Sequence, residues 1–214
     1  MKHLRYLTFL LLCLPLISLA QTYNFAQGKV TLAPYEKGLA LDFELIKDWH
    51  IYWINSGDSG APPIWYFEFQ DNNTIAQEHW PLPKRIPANS LITFGYEERA
   101  LFLFELGKKN IPFSGELKLE FLICKEECIP YINELSFSFS PEEQKESYIN
   151  KLQSSFIYPS RSKESVIFYG NKGGEFQFEL PSLPTNLELQ HVFPFNGELF
   201  TTAPHQSLST QKFA

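Results

Sequence analysis

From Leu117 to Ile123 every second residue is apolar. Leu117, Leu119, Phe121 and Ile123 alternate with Lys118, Glu120 and Leu122, with Glu116 just before the run. This period of two is the mark of a strand with one face in a core, and no helix accommodates it. The pattern recurs. Leu39, Leu41, Phe43 and Leu45 alternate with Ala40, Asp42 and Glu44, and Leu135, Phe137 and Phe139 alternate with Ser136 and Ser138. Leu101 to Leu106 is a short apolar strand. Turn-forming clusters punctuate these runs at Asn55-Ser56-Gly57-Asp58-Ser59-Gly60, Asp71-Asn72-Asn73, Gly107 and Ser114-Gly115. Several short strands punctuated in this way predict an all-β sandwich. Pro62, Pro63, Pro81, Pro83 and Pro87 exclude interior strand from the stretch they mark. The expectation there is an extended loop system plugged by Trp65, Phe67, Phe69 and Trp80.

The alternation sets a hairpin register. A strand ending near Ile123 must turn at Lys125-Glu126-Glu127 if the chain is to return as the strand through Leu135. That closure places Cys124 opposite Cys128, Ile123 opposite Ile129, Phe121 opposite Tyr131, Leu117 opposite Leu135 and Lys118 opposite Glu134. Apolar residues meet apolar ones, and an opposite-charge pair falls into place. Directly opposed residues stand about 4.5–5.5 Å apart at Cα, which suits a disulfide. The turn has no glycine, and Pro130 cannot donate to a ladder, so this end belongs at an edge or is irregular. With the odd residues in the core, Cys124 continues the even face and its sulfur points towards solvent.

Three readings of the pair stand side by side. As a structural clip, so short a loop contributes about 2 kcal/mol, against about 4.7 kcal/mol for a 100-residue loop. As zinc ligands, two cysteines supply half of a tetrahedral set, and no histidine adjoins them in sequence. As an exchange pair, a small outward-facing loop suits opening and remaking. Glu126 and Glu127 raise thiol pKa values and Lys125 lowers them, so the sequence leaves thiolate reactivity open.

The third of the 3 cysteines, Cys13, lies in a leader-like segment. Lys2, His3 and Arg5 precede the apolar run Tyr6 to Leu19, and Ser18-Leu19-Ala20 places small residues ahead of a cut before Gln21. Residues 1–20 therefore read as a secretory signal peptide. The run is short for a membrane span of about 20 residues, an uncleaved anchor being the alternative. The mature chain is therefore expected to be soluble, exported and in a compartment where disulfides persist. Removing Lys2 and Arg5 takes the 18 basic residues to 16 against 24 acidic ones, about −8 net. Without a basic patch, nucleic acid is excluded as the expected partner.

Further along, Pro141-Glu142-Glu143 opens a short connecting helix, its acidic residues in the first turn and Tyr148, Ile149 and Leu152 forming an apolar stripe. Strand-like segments resume at Ser165–Tyr169, Gly174–Leu180 and Asn186–Phe193. The expected organisation is a sandwich over 21–140, a helical linker over 141–162 and a partial second β unit over 163–214, which is small for a core of its own.

Gly57-Asp58-Ser59-Gly60 mimics the nucleophile motif of chymotrypsin-like proteases. His50 stands only nine residues ahead of Ser59, with no room for a barrel between them, so the reading is a Gly/Asp/Ser turn. His50 and His79 read as packing or rim residues. Trp49, Tyr52, Trp53, Trp65 and Trp80 read as core and loop plugs, with a partner-docking face as the alternative.

Several segments together resemble the N-terminal periplasmic domain of the DsbD thiol:disulfide interchange proteins, particularly the ScsB-like branch. They are Asp48-Trp49-His50-Ile51-Tyr52-Trp53 running on to Ala61-Pro62-Pro63, Trp80-Pro81-Leu82-Pro83-Lys84-Arg85, Phe94-Gly95-Tyr96-Glu97-Glu98, and Phe121 to Pro130 with both cysteines. Phe193-Pro194-Phe195-Asn196-Gly197 with Ala203-Pro204-His205-Gln206 resembles the second periplasmic module of that branch, cut short. The resemblance implies an immunoglobulin-like β-sandwich whose Cys124 and Cys128 take electrons from a membrane-embedded thiol reductase domain. They would pass them, without a cofactor, to periplasmic thioredoxin-like proteins. It also implies a cap loop whose aromatic residue, Phe94 with Tyr96 beside it, shields the disulfide. Some members space the cysteines by five residues rather than three, which leaves the order of attack open. The family's membrane and thioredoxin-like domains have no counterpart in the sequence, so they would act in trans or the chain is a fragment. The competing function is a non-catalytic binding module with a structural disulfide.

Overall fold

The computed structural model describes residues 20–88, 90–109, 111–159, 167–169 and 177–179. The expected leader (apart from Ala20), Cys13, and the segments 186–193 and 193–206 lie outside the described residues. A meander begins the fold: β1 (Gln21–Phe25), β2 (Gly28–Tyr35) and β3 (Gly38–Leu45), joined by the turns Ala26-Gln27 and Glu36-Lys37. β9 (Arg99–Leu106) pairs with β3, and β6 (Ile75–His79) closes this sheet in the order β1-β2-β3-β9-β6. The second sheet has the order β11-β10-β4-β8-β7, with β11 (Cys128–Phe139), β10 (Phe113–Cys124), β4 (His50–Gly57), β8 (Leu91–Glu97) and β7 (Lys84–Ala88). β5 (Ile64–Phe69) pairs with β10 over residues 115–120, alongside β4, which meets β10 at Cys124. Every pairing is antiparallel, and the two sheets form an immunoglobulin-like β-sandwich.

The core lies between the inner faces that the alternation marked. Leu39, Leu41, Phe43, Leu117, Leu119, Phe121 and Ile123 are all buried in one cluster. Phe43 meets Phe102 and Phe121 edge to face at 5.7 and 5.2 Å, the arrangement the ring quadrupole favours.

The proline-marked stretch is not a loop system. It contains β5, β6 and β7, and β5 carries the same alternation, with Trp65, Phe67 and Phe69 packed on the core while Tyr66 and Glu68 face out. Pro62 and Pro63 precede β5, and Pro81 and Pro83 fall between β6 and β7. Pro87 sits in β7, at the edge of its sheet. A missing N–H costs no ladder bond at those places.

The expected half-buried strand over 39–45 is buried on both faces. Behind it lies a third layer, α1 (Pro141–Glu146), α2 (Ile149–Leu152) and a 3₁₀ turn (Gln153–Ser155), which covers Ala33, Tyr35, Ala40, Leu101 and Leu103 with Ile149. The expected helix is two, because Ser147 leaves the helical region at ψ 136°. Its start is as the sequence indicates: Ser140 and Glu143 form a reciprocal capping box. The layer also buries Asp42, whose carboxylate accepts two bonds from Arg99 at 2.8 and 2.6 Å and one from the Tyr148 hydroxyl at 3.0 Å. Beyond it, β12 (Ile167–Tyr169) and β13 (Gln177–Glu179) pair antiparallel, within two of the segments expected as strands.

Candidate active site

β10 and β11 pair without interruption from Phe113↔Phe139 to Cys124↔Cys128. The register is the one the alternation requires, including Ile123↔Ile129, Phe121↔Tyr131, Lys118↔Glu134 and Leu117↔Leu135. The three turn residues close it without left-handed backbone, since none of them has a positive φ. Cys124 and Cys128 form a disulfide with Cα atoms 4.1 Å apart. β11 is the edge strand, which accommodates Pro130.

The two sulfur-bearing residues differ in surroundings. Cys128 is exposed, whereas Cys124 is only 2% exposed. The outward direction expected for Cys124 does not bring it to solvent. At its end of β10, β4 lies alongside in the same sheet, which places His50 directly opposite Cys124, with Tyr52 two residues further on. Both are buried, their rings edge to face at 5.2 Å. The Tyr52 hydroxyl lies 3.3 Å from the Cys128 sulfur.

The Gly-Asp-Ser-Gly turn holds Tyr52 in place. Gly60 has φ +81°, and a Cβ there would stand 2.0 Å from the Tyr52 ring, so the backbone packs directly on that ring. The Ser59 hydroxyl lies 3.0 Å from the Thr93 hydroxyl of β8. Asp58 fastens the turn to β8: its carboxylate accepts from Ile92 N at 2.8 Å, and its N–H donates to Ile92 O at 3.0 Å. The motif that mimics a protease nucleophile is a clamp on the ring beside the disulfide.

Burial lowers the His50 pKa from its ordinary 6.5, with Glu97 opposing the effect. The imidazole is therefore neutral at pH 7. Burial raises the Tyr52 pKa, and the phenol stays protonated. Lys125, which the sequence offers as an electrostatic aid to a thiolate, is drawn to Asp48 at 3.2 Å.

Phe94 and Tyr96 occupy the inner face of β8, within the core cluster. Phe94 stands edge to face with Trp53 at 6.5 Å, and Arg85 lies 5.5 Å over its ring. The Tyr96 hydroxyl donates to Pro81 O at 2.8 Å, and its ring meets Phe102 at 5.4 Å. The neighbouring Thr93 and Gly95 alternate to the Tyr52 side, Gly95 directly opposite Tyr52. The structure thus brings His50 and Tyr52 to the cysteine pair. It places Phe94 and Tyr96 beneath the same sheet. The sequence contains a signal for the first two, since His50 and Tyr52 share one strand face, but it does not say which strand lies beside Cys124.

No curated protein matches the chain. Among solved structures, the N-terminal periplasmic domain of ScsB from Proteus mirabilis aligns with a TM-score of 0.51 at 19% identity, over 71% of this chain and 65% of that one. The chain thus spans less than two thirds of the length of that domain, and the likeness is one of fold. The N-terminal domain of DsbD from Neisseria meningitidis, in the reduced form, aligns at 17% identity over 54% of this chain and 86% of that one, with a TM-score of 0.40. The family model described as "Thiol:disulfide interchange protein DsbD, N-terminal" matches residues 20–140, which hold the whole sandwich and both bonded cysteines. A match over more than half of the sequence, on this fold, means that the chain belongs to the DsbD N-terminal domain family.

Proposed function

We propose that this protein is a periplasmic thiol–disulfide exchange domain in which Cys128 meets the partner and Cys124 resolves. The observation that carries this reading is the unequal exposure of the two halves of one disulfide: Cys128 is exposed and Cys124 is buried. In the reduced domain the Cys128 thiolate attacks one sulfur of a partner disulfide, and the partner's other sulfur leaves and takes up a proton. The Cys124 thiol then loses its proton and attacks the Cys128 sulfur. The Cys124–Cys128 bond re-forms and the partner departs as a dithiol, two electrons richer. A membrane-embedded thiol reductase domain supplies the electrons in the reverse exchange, and thioredoxin-like periplasmic proteins receive them. Phe94 and Tyr96, the expected shield, pack in the core beneath the same sheet, and Tyr52 is the ring whose hydroxyl lies at the Cys128 sulfur. The leader-like segment supports the compartment, as does the periplasmic location of the ScsB domain whose fold this chain shares. No helix among the described residues is long and apolar enough to cross a membrane.

Partner docking is supported by the outer face of the sheet that carries the disulfide. Glu120 is flanked there by Ile64 and Ile132, and Lys118 by Tyr66 and Glu134. Ile132 is 64% exposed and Tyr66 59%. Apolar and aromatic exposure beside a reactive group is the composition of an interface. The test is trapping. Cys124→Ser, which keeps the accessible sulfur, is expected to hold a thioredoxin-like protein as a reductant-sensitive covalent adduct, and Cys128→Ser is not. If neither variant traps a partner, and the wild-type disulfide resists dithiothreitol until the protein unfolds, the bond is a structural clip and the exchange reading fails.

A further inference from the structure

We infer that the free edge of β11 is the docking strand for the partner, which adds an extended, cysteine-bearing segment antiparallel to it. The segment's cysteine lies directly opposite Cys128, an apolar residue opposite Ile132 and a basic residue opposite Glu134. This docking deepens the exchange reading and takes its biological meaning from it. β11 runs for 12 residues at the end of its sheet, and among the described residues no strand but β10 pairs with it. The ladder fixes which backbone groups face outward. Cys124 and Cys128 stand 4.1 Å apart at Cα, the close spacing of a pair that exchanges no ladder bonds. The N–H and C=O groups of Cys128, Ile132, Glu134 and Ser136 therefore point away from β10. Pro130, which has no N–H to offer, falls in the same row of positions. An edge left open in this way is a template for another chain, and sequences blunt it with lysine, proline or a bulge. Past Pro130, β11 carries none of the three.

The disulfide selects the occupant. Cys124, Cys128 and the residue opposite Cys128 on an added strand lie in one row across the sheet. A sulfur brought in there approaches Cys128 from the side away from Cys124, the direction from which exchange expels the Cys124 sulfur. The inner side is occupied, with the Tyr52 hydroxyl 3.3 Å from Cys128 Sγ and Cys124 buried. In the oxidised domain the partner's thiolate bonds to Cys128 Sγ and the Cys124–Cys128 bond breaks. Cys124 Sγ leaves with the electron pair and takes up a proton from solvent.

Cross-strand neighbours set the rest of the segment. In antiparallel pairing the residue four before the cysteine meets Ile132, which is 64% exposed, and the residue six before meets the exposed Glu134. A second copy fits the edge poorly. Two β11 strands paired about their middle set Ile132 against Glu134, or Glu134 against its own copy. The register that opposes Cys128 to Cys128 pairs β11 only with the turn.

The experiment follows opening of the disulfide in the full chain by an excess of the end-capped peptide Lys-Thr-Val-Thr-Thr-Ser-Cys, read by acid quench and mass spectrometry. In the proposed pairing the valine exchanges main-chain bonds with Ile132, while the N–H of the threonine before it points away from β11. N-methylation of the valine should slow the reaction about tenfold, the worth of one or two such bonds. N-methylation of that threonine should leave the rate unchanged. Ile132→Pro, which removes an outward N–H and no ladder bond, should slow the unmodified peptide to the N-methylvaline rate and leave dithiothreitol reduction unchanged. Equal rates for all three peptides on the unaltered protein overturn the proposal whatever the variant does. A dimer in sedimentation equilibrium that Ile132→Pro dissolves gives the edge to a second copy and overturns it too. The peptides need no natural partner, so the two readings fail separately. A rate difference with no trapped partner keeps the docking edge and removes exchange. Equal rates with a trapped partner do the reverse.

Discussion

His50 is held neutral in the native state next to a cysteine it does not need to ionise. Its pKa is depressed on folding, so the unfolded chain binds the extra proton. Stability contributed by the neutral imidazole is fully present above the unfolded value of about 6.5 and is lost as pH falls from there towards the folded value. Urea denaturation between pH 7.5 and 5, above the carboxylate range, should show stability falling with acid in the wild type. In His50→Gln that slope should largely disappear. An unchanged slope would assign the acid sensitivity to another group. The residue scale is also where the sequence said least. Cys124 and Cys128 look alike in it, and Tyr52 reads as one aromatic among several. What separates them is tertiary: Cys124 is buried, Cys128 is exposed, and a phenol 76 positions away in the chain lies at the Cys128 sulfur.

At the scale of the element, the long hairpin was readable because its determinants are local. Alternation names the buried face, and a three-residue turn leaves one register in which Leu117, Phe121 and Ile123 all meet apolar partners. The stretch from Pro62 to Pro87 was misread for the converse reason. Proline reports where a strand cannot be interior, not where a strand is absent, and the alternation of Trp65, Phe67 and Phe69 was the stronger signal. The helical layer is anchored by few residues. Ile149 is wholly buried against Ala33, Tyr35, Ala40, Leu101 and Leu103. The Asn150 side chain accepts from Glu36 N at 2.9 Å and donates to Gln144 O at 2.7 Å, tying both helices to the β2–β3 turn. Ile149→Ala should therefore cost about 2–4 kcal/mol in urea denaturation. A loss below about 0.5 kcal/mol would mean that the layer is not part of the cooperative unit.

For the whole molecule, the consequence is that the sandwich does not end where its sheets end. A chain spanning 20–140 retains every strand of both sheets but uncovers Ala40, Leu101, Leu103 and the Asp42–Arg99 pair. It should unfold at lower urea concentration than 20–159, by at least the ~2–4 kcal/mol that burial of one large aliphatic residue contributes. Coincident midpoints would show that the third layer is dispensable. The sequence by itself determined the β class, the inner faces, the hairpin register and the opposition of Cys124 to Cys128, because each follows from periodicity and chain connectivity over a few residues. Only the tertiary structure decided that β4 lies beside the tip of β10, and with it which sulfur is open, which ring touches it and what the Gly-Asp-Ser-Gly turn is for. Those features depend on strands brought together from distant parts of the chain, and a period of two says which way a side chain points without saying what stands in front of it.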